Sequence, residues 1–175
     1  MSLIKKLYNK IKNMSKDFTL NYIASGIICN RYIRVRIYKF FGNNIQTYEF
    51  SPRCFLGYGK GKLYVGTGTF VNYNCFFDLG ADIHIGNNCN IAANVSFINS
   101  THEFGNLTRR AGAGIANTIK IGDGCWLGGN STILPGVTVG DGCIIGAGSL
   151  VVKDCDKNTL YGGVPAKKMK SLNEY

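Results

Sequence analysis

The sequence lacks the features of a membrane-spanning or exported chain. Its 175 residues hold no apolar run of about 18 residues, the length that marks a spanning helix. The apolar stretch at residues 22–29 is too short to span a bilayer, and no signal-peptide pattern with a small-residue cleavage site is visible. We therefore expect a cytoplasmic protein whose cysteines stay reduced.

Histidine, proline and N-terminal acidic residues are also scarce. Only two histidines occur, His84 and His102, so a metal site built from three histidines is excluded. Three prolines and the absence of a Gly-X-Y period exclude a collagen-like chain. Among residues 1–40, Asp17 is the single acidic residue.

The first 40 residues carry most of the positive charge. They hold Lys5, Lys6, Lys10, Lys12, Lys16, Arg31, Arg34, Arg36 and Lys39, so nine basic residues against one acid give +8 of the net +10. Such a segment attracts a membrane surface, an anionic polysaccharide or nucleic acid, and it is equally typical of a solvated helical face. We expect no nucleic-acid partner, and peripheral membrane contact through this segment is left open.

Glycine is abundant, with 23 residues, and it accompanies a six-residue repeat. An aliphatic residue leads each repeat and a small residue follows four positions later. The leaders are Val65, Val71, then, after a slip of two residues near Phe77, Leu79, Ile85, Ile91 and Phe97, and later Ile121, Leu127, Ile133, Val139, Ile145 and Val151. A short strand and a turn cannot bury an apolar face alone, so stacked coils of three repeats must form the core. The repeat predicts an all-β parallel β-helix.

The repeat also explains the cysteines and marks its own interruption. Five of the seven cysteines fall on the small inward position, and Cys54 fits if Phe50 leads, so we interpret them as buried apolar residues rather than metal ligands. The pattern runs to Thr101, breaks at His102 and resumes at Ile121, which predicts an excursion loop from the coil near residues 99–118. The predicted organisation is a basic, partly helical N-terminal segment (1–50), a β-helix (51–165) and a C-terminal tail (166–175).

Several longer motifs stand in a characteristic order along residues 65–170. They are FVNYN at 70–74, STH at 100–102, IGDGCWLGG at 121–129, ILPGVTVG at 133–140, IGAGS at 145–149, VKD at 152–154 and GGVPAK at 162–167. In these motifs the chain resembles the hexapeptide-repeat acyltransferases, in the branch of galactoside, maltose, streptogramin and surface-polysaccharide O-acetyltransferases. The resemblance implies a left-handed β-helix, acetyl-CoA as the donor and a homotrimer with sites between subunits.

Acetyl transfer to an alcohol needs a base, a positioned thioester and an oxyanion donor. His102 matches the family's catalytic histidine, whereas His84 lies between two inward residues and is expected to face outward. Because no Gly-x-Ser-x-Gly motif is present, direct attack by the acceptor is expected rather than an acyl-enzyme. Glu103 follows His102 and is expected to be a solvated carboxylate.

The resemblance assigns further residues to the two substrates. Asn72, Asp78 and Trp126 are expected at the acetyl group or the acceptor; Asp78 replaces, at a neighbouring position, an acid that the sugar acetyltransferases carry where this chain has Gly80. For acetyl-CoA, the expected contacts are Gly129, Ala147, Lys153, Lys167 and Lys170, with no metal required. Arg109 and Arg110 lie in the excursion and have no assigned role.

The predicted function is acetyl-CoA-dependent O-acetylation of a sugar in capsule or lipopolysaccharide synthesis. Three alternatives remain. They are an antibiotic acetyltransferase acting on streptogramin or chloramphenicol, a γ-type carbonic anhydrase, which the two histidines argue against, and a nonenzymatic scaffold or nucleic-acid binder.

Overall fold

The computed structural model describes residues 3–172, which form two helices followed by three parallel sheets wound into a β-helix. Helix α1 (Leu3–Phe18) continues into a π-helical turn (Thr19–Ala24), and α2 spans Arg31–Phe40. Asn30 begins α2 because its side-chain oxygen accepts a hydrogen bond from the Tyr32 amide, satisfying one unpaired donor of the first turn. Among the described residues, no helix is both long and apolar enough to cross a membrane.

Each coil of the β-helix visits the three sheets in the same order. Sheet A contains β1 (Asn44–Ile45), β3 (Leu63–Val65), β6 (Ile83–Ile85), β11 (Ile119–Ile121) and β14 (Thr138–Val139). Sheet B contains β4 (Phe70–Val71), β7 (Asn90–Ile91), β12 (Trp126–Leu127), β15 (Ile144–Ile145), β17 (Thr159–Gly162) and β18 (Lys167–Ser171). Sheet C contains β2 (Phe55–Leu56), β5 (Phe76–Phe77), β8 (Ser96–Phe97), β13 (Thr132–Ile133) and β16 (Leu150–Val151). We name the turns between them the A/B, B/C and C/A corners.

The repeat leaders stack from coil to coil to make the core. Ile91, Leu127 and Ile145 lie in register across sheet B and are buried. In sheet C the rings of Phe77 and Phe97 stack with centroids 5.0 Å apart. Every predicted leader is buried, but the strand position assigned to Leu79 is held by Phe77, and Leu79 lies in the C/A corner, which the two-residue slip lengthens between Phe77 and β6.

The cysteines follow the predicted inward position. Cys54, Cys75, Cys89, Cys125, Cys143 and Cys155 are buried as free thiols. Their thiols donate to carbonyls of the coil turns, as in the 2.8 Å contact from Cys143 Sγ to Asp156 O. Burial raises the pKa of Cys155 to about 12, so this thiol stays protonated and is unsuited to nucleophilic chemistry.

The interruption is a β-hairpin rather than an irregular loop. Strands β9 (Ser100–Phe104) and β10 (Ala111–Ala116) pair antiparallel and leave the coil at a C/A corner. The prediction that Thr101 points inward is therefore wrong, because the chain has already left the coil there and Thr101 is exposed. Asn99 is the residue that is buried at this point, with no exposed surface.

The two ends also differ from the sequence interpretation. The β-helix begins before residue 51, because β1 pairs with β3 and Phe50 bridges to Val71. The residues predicted as a C-terminal tail contain β18, which pairs antiparallel with β17 and covers the last coil; residues 173–175 lie outside the described part. Neither strand carries an unbroken six-residue pattern, so the repeat could not reveal them.

Arg34 is not part of a solvated basic face. Its side chain is buried, and its guanidinium donates to four carbonyls, those of Ala24, Gly26, Cys29 and Phe50, at 2.6–3.1 Å. A planar group with five donors suits such convergent acceptors. Arg34 thereby joins α2, the segment before it and the first coil.

Candidate active site

His102 lies in the hairpin that interrupts the coils. It sits in β9 opposite Gly114 of β10, and its side chain is exposed. Its Nδ1 is 3.0 Å from the carbonyl oxygen of Gly112. A carbonyl only accepts hydrogen bonds, so this contact holds the proton on Nδ1 and leaves the Nε2 lone pair free as a base.

The orienting partner of His102 is thus a backbone carbonyl and not Glu103. Glu103 is the next residue of the same strand, and successive strand residues point to opposite sides. The sequence could not locate this carbonyl. The alternating glycines Gly112 and Gly114 were the available sequence signal for a strand that lies against the imidazole. A Cβ at Gly114 would lie 4.0 Å from His102 Cε1.

Asp78 and Asn99 anchor the base of the hairpin. Asp78 Oδ2 accepts from the Ser100 amide at 2.7 Å. The buried Asn99 side chain donates to Ala81 O at 2.6 Å and accepts from the Gly80 amide at 2.9 Å. Both residues fix where β9 leaves the coil, and a role of Asp78 in binding the acceptor stays a prediction.

Asn72 lies at the B/C corner and is the first of a column of equivalent corner residues in successive coils. Its Oδ1 accepts from the Tyr73 amide at 2.8 Å, while its Nδ2 makes no hydrogen bond to the described part of the chain and is available to a ligand. Asn72 directly follows β4, and the equivalent position in the next coils is Ala92, then Gly128 and Gly146.

Small residues continue this B/C corner through the successive coils. The Asn94 amide donates to Tyr73 O, the Asn130 amide to Ala93 O, and the Gly148 amide to Gly129 O, so the corners stack directly. We call the surface formed by Ala92, Ala93, Gly129, Gly146 and Ala147 the small-residue track, and Gly128 is buried beneath it. With no side chain beyond Cβ, the track exposes backbone to a ligand that lies along the coils.

Trp126 projects from the outer face of sheet B next to the track. It pairs in register with Asn90 and Ile144, and 54% of its surface is exposed. Within residues 3–172 its indole ring takes part in no hydrogen bond, ring stacking or cation–π contact. Trp126 precedes Gly129 of the track by three residues, on the strand that leads into the B/C corner.

The three lysines predicted to contact acetyl-CoA lie in two places, two on strand β18 and one at a C/A corner. Lys167 pairs with Gly162 in the β17–β18 hairpin, which continues sheet B beyond the coil of Ala147, and Lys170 pairs with Leu160. Lys153 follows β16 at a C/A corner. All three are exposed. The neighbouring Lys168 instead forms an ion pair with Asp156 at 3.2 Å.

Within one chain these residues form two separate groups. His102, Asp78 and Lys153 belong to the C/A corner, whereas Asn72, Gly129, Ala147 and Trp126 belong to sheet B and the B/C corner. Sheet B is the side of the triangle opposite the C/A corner. The point where the hairpin leaves the coil is therefore separated from the track of the same chain by the full width of sheet C.

His84 and the excursion arginines stand apart from both groups. His84 faces outward from sheet A, as predicted, and its ring stacks on Tyr64 with centroids 4.4 Å apart. Arg109 and Arg110 are exposed near the hairpin tip, where the Arg110 carbonyl accepts from the Gly105 amide. No group of three or more potential metal ligands occurs in residues 3–172.

Comparison with known proteins bears on the family and the fold of the chain. A family model described as bacterial transferase hexapeptide (six repeats) matches residues 118–153. The structure of a maltose O-acetyltransferase from Clostridium difficile has a TM-score of 0.75 at 30% identity, covering 96% of this chain and 88% of that one. A galactoside acetyltransferase in complex with coenzyme A has a TM-score of 0.77 at 28% identity, covering 93% of this chain and 80% of that one.

The galactoside O-acetyltransferase of Escherichia coli is 33% identical over 123 residues, which are 70% of this chain but only 60% of that enzyme. The chain belongs to the hexapeptide-repeat acetyltransferase family. It is a left-handed parallel β-helix, and the predicted enzyme class, an acyltransferase, is confirmed.

Proposed function

We propose that the protein transfers an acetyl group from acetyl-CoA to a sugar hydroxyl, with His102 as the general base. The observation that carries this proposal is the Nδ1 contact to Gly112 O, which leaves Nε2 able to accept a proton. The acceptor oxygen attacks the thioester carbonyl while Nε2 takes the hydroxyl proton. The C–S bond then breaks, and the imidazolium returns the proton to the CoA thiolate.

The small-residue track and the lysines at its end suit acetyl-CoA. A pantetheine arm is a narrow chain with amide groups, and the track offers backbone without side-chain obstruction along Gly129 and Ala147. The cationic Lys167 and Lys170 lie beyond the last coil of the track, where the phosphates of the nucleotide end would find charge complementarity. The transfer needs no metal.

A homotrimer supplies what one chain lacks. Because the His102 group and the Trp126 group lie on opposite parts of the triangular coil, a complete site requires the C/A corner of one subunit to meet sheet B of the next. Such a head-to-tail contact closes into a ring of three. Asn72 Nδ2 and Trp126 would then face the acetyl group and the acceptor from the neighbouring chain.

The acceptor that we favour is a sugar of a capsule or lipopolysaccharide. Similar enzymes are named for galactoside and maltose, which supports a sugar, and the family branch that the coil motifs resemble includes surface-polysaccharide O-acetyltransferases. Acetylation of streptogramin or chloramphenicol is the second candidate, on the resemblance of the coils alone.

The test is release of free CoA thiol from acetyl-CoA with a panel of sugars and the two antibiotics. We expect turnover with a sugar and a loss of about 100- to 10,000-fold in kcat for His102→Ala, while coenzyme A still binds. Unchanged turnover in this variant would remove His102 from the mechanism. Turnover of an antibiotic alone, with resistance conferred on a sensitive host, would replace the sugar assignment.

A further inference from the structure

Helix α1 carries its apolar side chains on the side that faces solvent. Leu7, Ile11, Met14 and Phe18 are 57%, 59%, 61% and 57% exposed. At 3.6 residues per turn they fall within an arc of about 60°, so they form one continuous strip, which we call the α1 stripe. Tyr22 extends it, because its ring stacks on Phe18 at 5.6 Å.

Only the last turn of α1 approaches the β-helix, and the polar residues before it are exposed like the stripe. Asn13, Lys16 and Asp17 border a cavity of about 100 Å³ together with Leu56 and its neighbours. Asn21, on the following turn, links Asp17 Oδ1 to the backbone of Leu56 through hydrogen bonds of 2.7–2.9 Å. Burial, with the nearby charge of Lys62, lowers the pKa of Lys16.

An ordinary surface helix buries its apolar face, whereas the apolar face of α1 lies in solvent. The hydrogen bonds of Asp17 and Asn21 fix the rotation of the helix, so the stripe cannot turn inward without breaking them. An apolar strip of this size on an otherwise polar helix indicates a binding surface.

The charge around the stripe selects its partner. Lys10 and Lys12 are exposed, on opposite sides of the stripe and about 70° and about 130° around the helix from its middle, and the helix has no acidic residue in its first turn. Residues 3–18 hold five lysines against Asp17, so two copies of α1 would repel each other. A soluble polyanion would match the lysines but leave the apolar side chains in water. A layer with a hydrocarbon interior and anionic headgroups satisfies both.

We propose that α1 docks the enzyme flat on an anionic lipid surface, with the α1 stripe inserted below the headgroups and Lys10 and Lys12 among them. The phenolic side chain of Tyr22 lies at the depth where aromatic residues favour the interface. This inference does not depend on the acetyl transfer proposed above, because none of these residues belongs to the site of transfer.

The experiment is co-sedimentation of the full-length protein with vesicles. We expect binding to phosphatidylcholine vesicles that contain about 30% phosphatidylserine, and little binding to pure phosphatidylcholine. Leu7→Ser/Ile11→Ser/Met14→Ser should weaken binding by about a hundredfold. The matched control is Leu107→Ser/Val164→Ser/Met169→Ser, which removes three exposed apolar side chains elsewhere and should bind as the parent does.

A second pair of variants tests the charge separately. Lys10→Gln/Lys12→Gln should weaken binding by about fivefold per lysine and reduce its salt dependence. Lys120→Gln/Lys157→Gln removes the same net charge from exposed positions of the β-helix and should have little effect. Both pairs leave the α1 stripe intact, and thermal unfolding confirms that each variant is folded.

Three outcomes would overturn the proposal. They are absence of vesicle binding by the parent protein, equal binding to neutral and anionic vesicles, and equal loss in the variants and their controls. If the parent fails to bind vesicles and the stripe variant changes the oligomeric state in light scattering, the stripe is covered by a second copy of the chain instead.

Discussion

Two neighbouring glycines of the B/C corner allow the small-residue track to be tested separately from the fold. A Cβ added at Gly128 would lie 2.5 Å from Ala147 N and 2.8 Å from Ile145 O, both backbone atoms of the next coil. A Cβ at Gly129 would meet only Ala93 O at 3.3 Å and Ala92 Cβ at 3.9 Å. Neither glycine has a positive φ, so space rather than backbone strain decides the outcome.

The two alanine variants should therefore differ in kind. Gly128→Ala forces adjacent coils apart and should lower the free energy of unfolding by about 1–3 kcal/mol. Gly129→Ala should change it by less than about 1 kcal/mol, yet its methyl group lies on the track where we place the pantetheine arm. An overlap costing about 1–3 kcal/mol in binding lowers kcat/KM for acetyl-CoA by about 5- to 150-fold.

The assay combines thermal unfolding with initial rates over a range of acetyl-CoA concentrations. The expected result for Gly129→Ala is a raised KM with an almost unchanged melting temperature and unchanged KM for the acceptor. Gly129→Val should enlarge the effect on KM. If Gly129→Ala and Gly129→Val both keep the wild-type KM for acetyl-CoA, the assignment of the track to the donor is refuted.

Three further predictions follow from contacts in the fold. His84→Ala should leave turnover unchanged and lower stability by about 1 kcal/mol or less, because only its stacking on Tyr64 is lost; a large loss of kcat would mean that the base has been misassigned. Leu127→Ala should lower the free energy of unfolding by about 2–5 kcal/mol in denaturant titration, since Leu127 is fully buried between two coils, and a change below 1 kcal/mol would contradict that packing. Arg34→Met should cost about 3 kcal/mol or more, because four carbonyls lose their donor; a neutral effect in the same titration would show that water replaces the guanidinium.

The coils could be predicted from sequence because a period of six couples local and global structure. Each leader, such as Leu127, is buried by its equivalents one coil above and below, so the pattern that defines the strand also defines the core. The cysteines followed for the same reason. Where the period ends, as at Thr101, β1 and β18, the burial of a residue depends on partners that no repeat encodes.

The site was predictable only in its residue types. The position of His102 at the interruption could be read from the chain, but its orientation depends on the carbonyl of Gly112, a backbone group without a sequence signature. Asp78 was expected to face the acceptor, and its hydrogen bond to the Ser100 amide depends on how the hairpin leaves the coil. The exposure of the α1 stripe arises because only the last turn of α1 approaches the coils, which helical periodicity does not reveal.

The most direct test of the account is complementation between two inactive variants. His102→Ala removes the base from the C/A corner, and Trp126→Ala/Gly129→Val damages sheet B and the track. If each site lies between two subunits, random mixed trimers should regain about one intact site in four and a corresponding share of turnover. Mixtures that stay as inactive as their components, while forming trimers, would show that the two groups serve the same chain and would contradict the shared site.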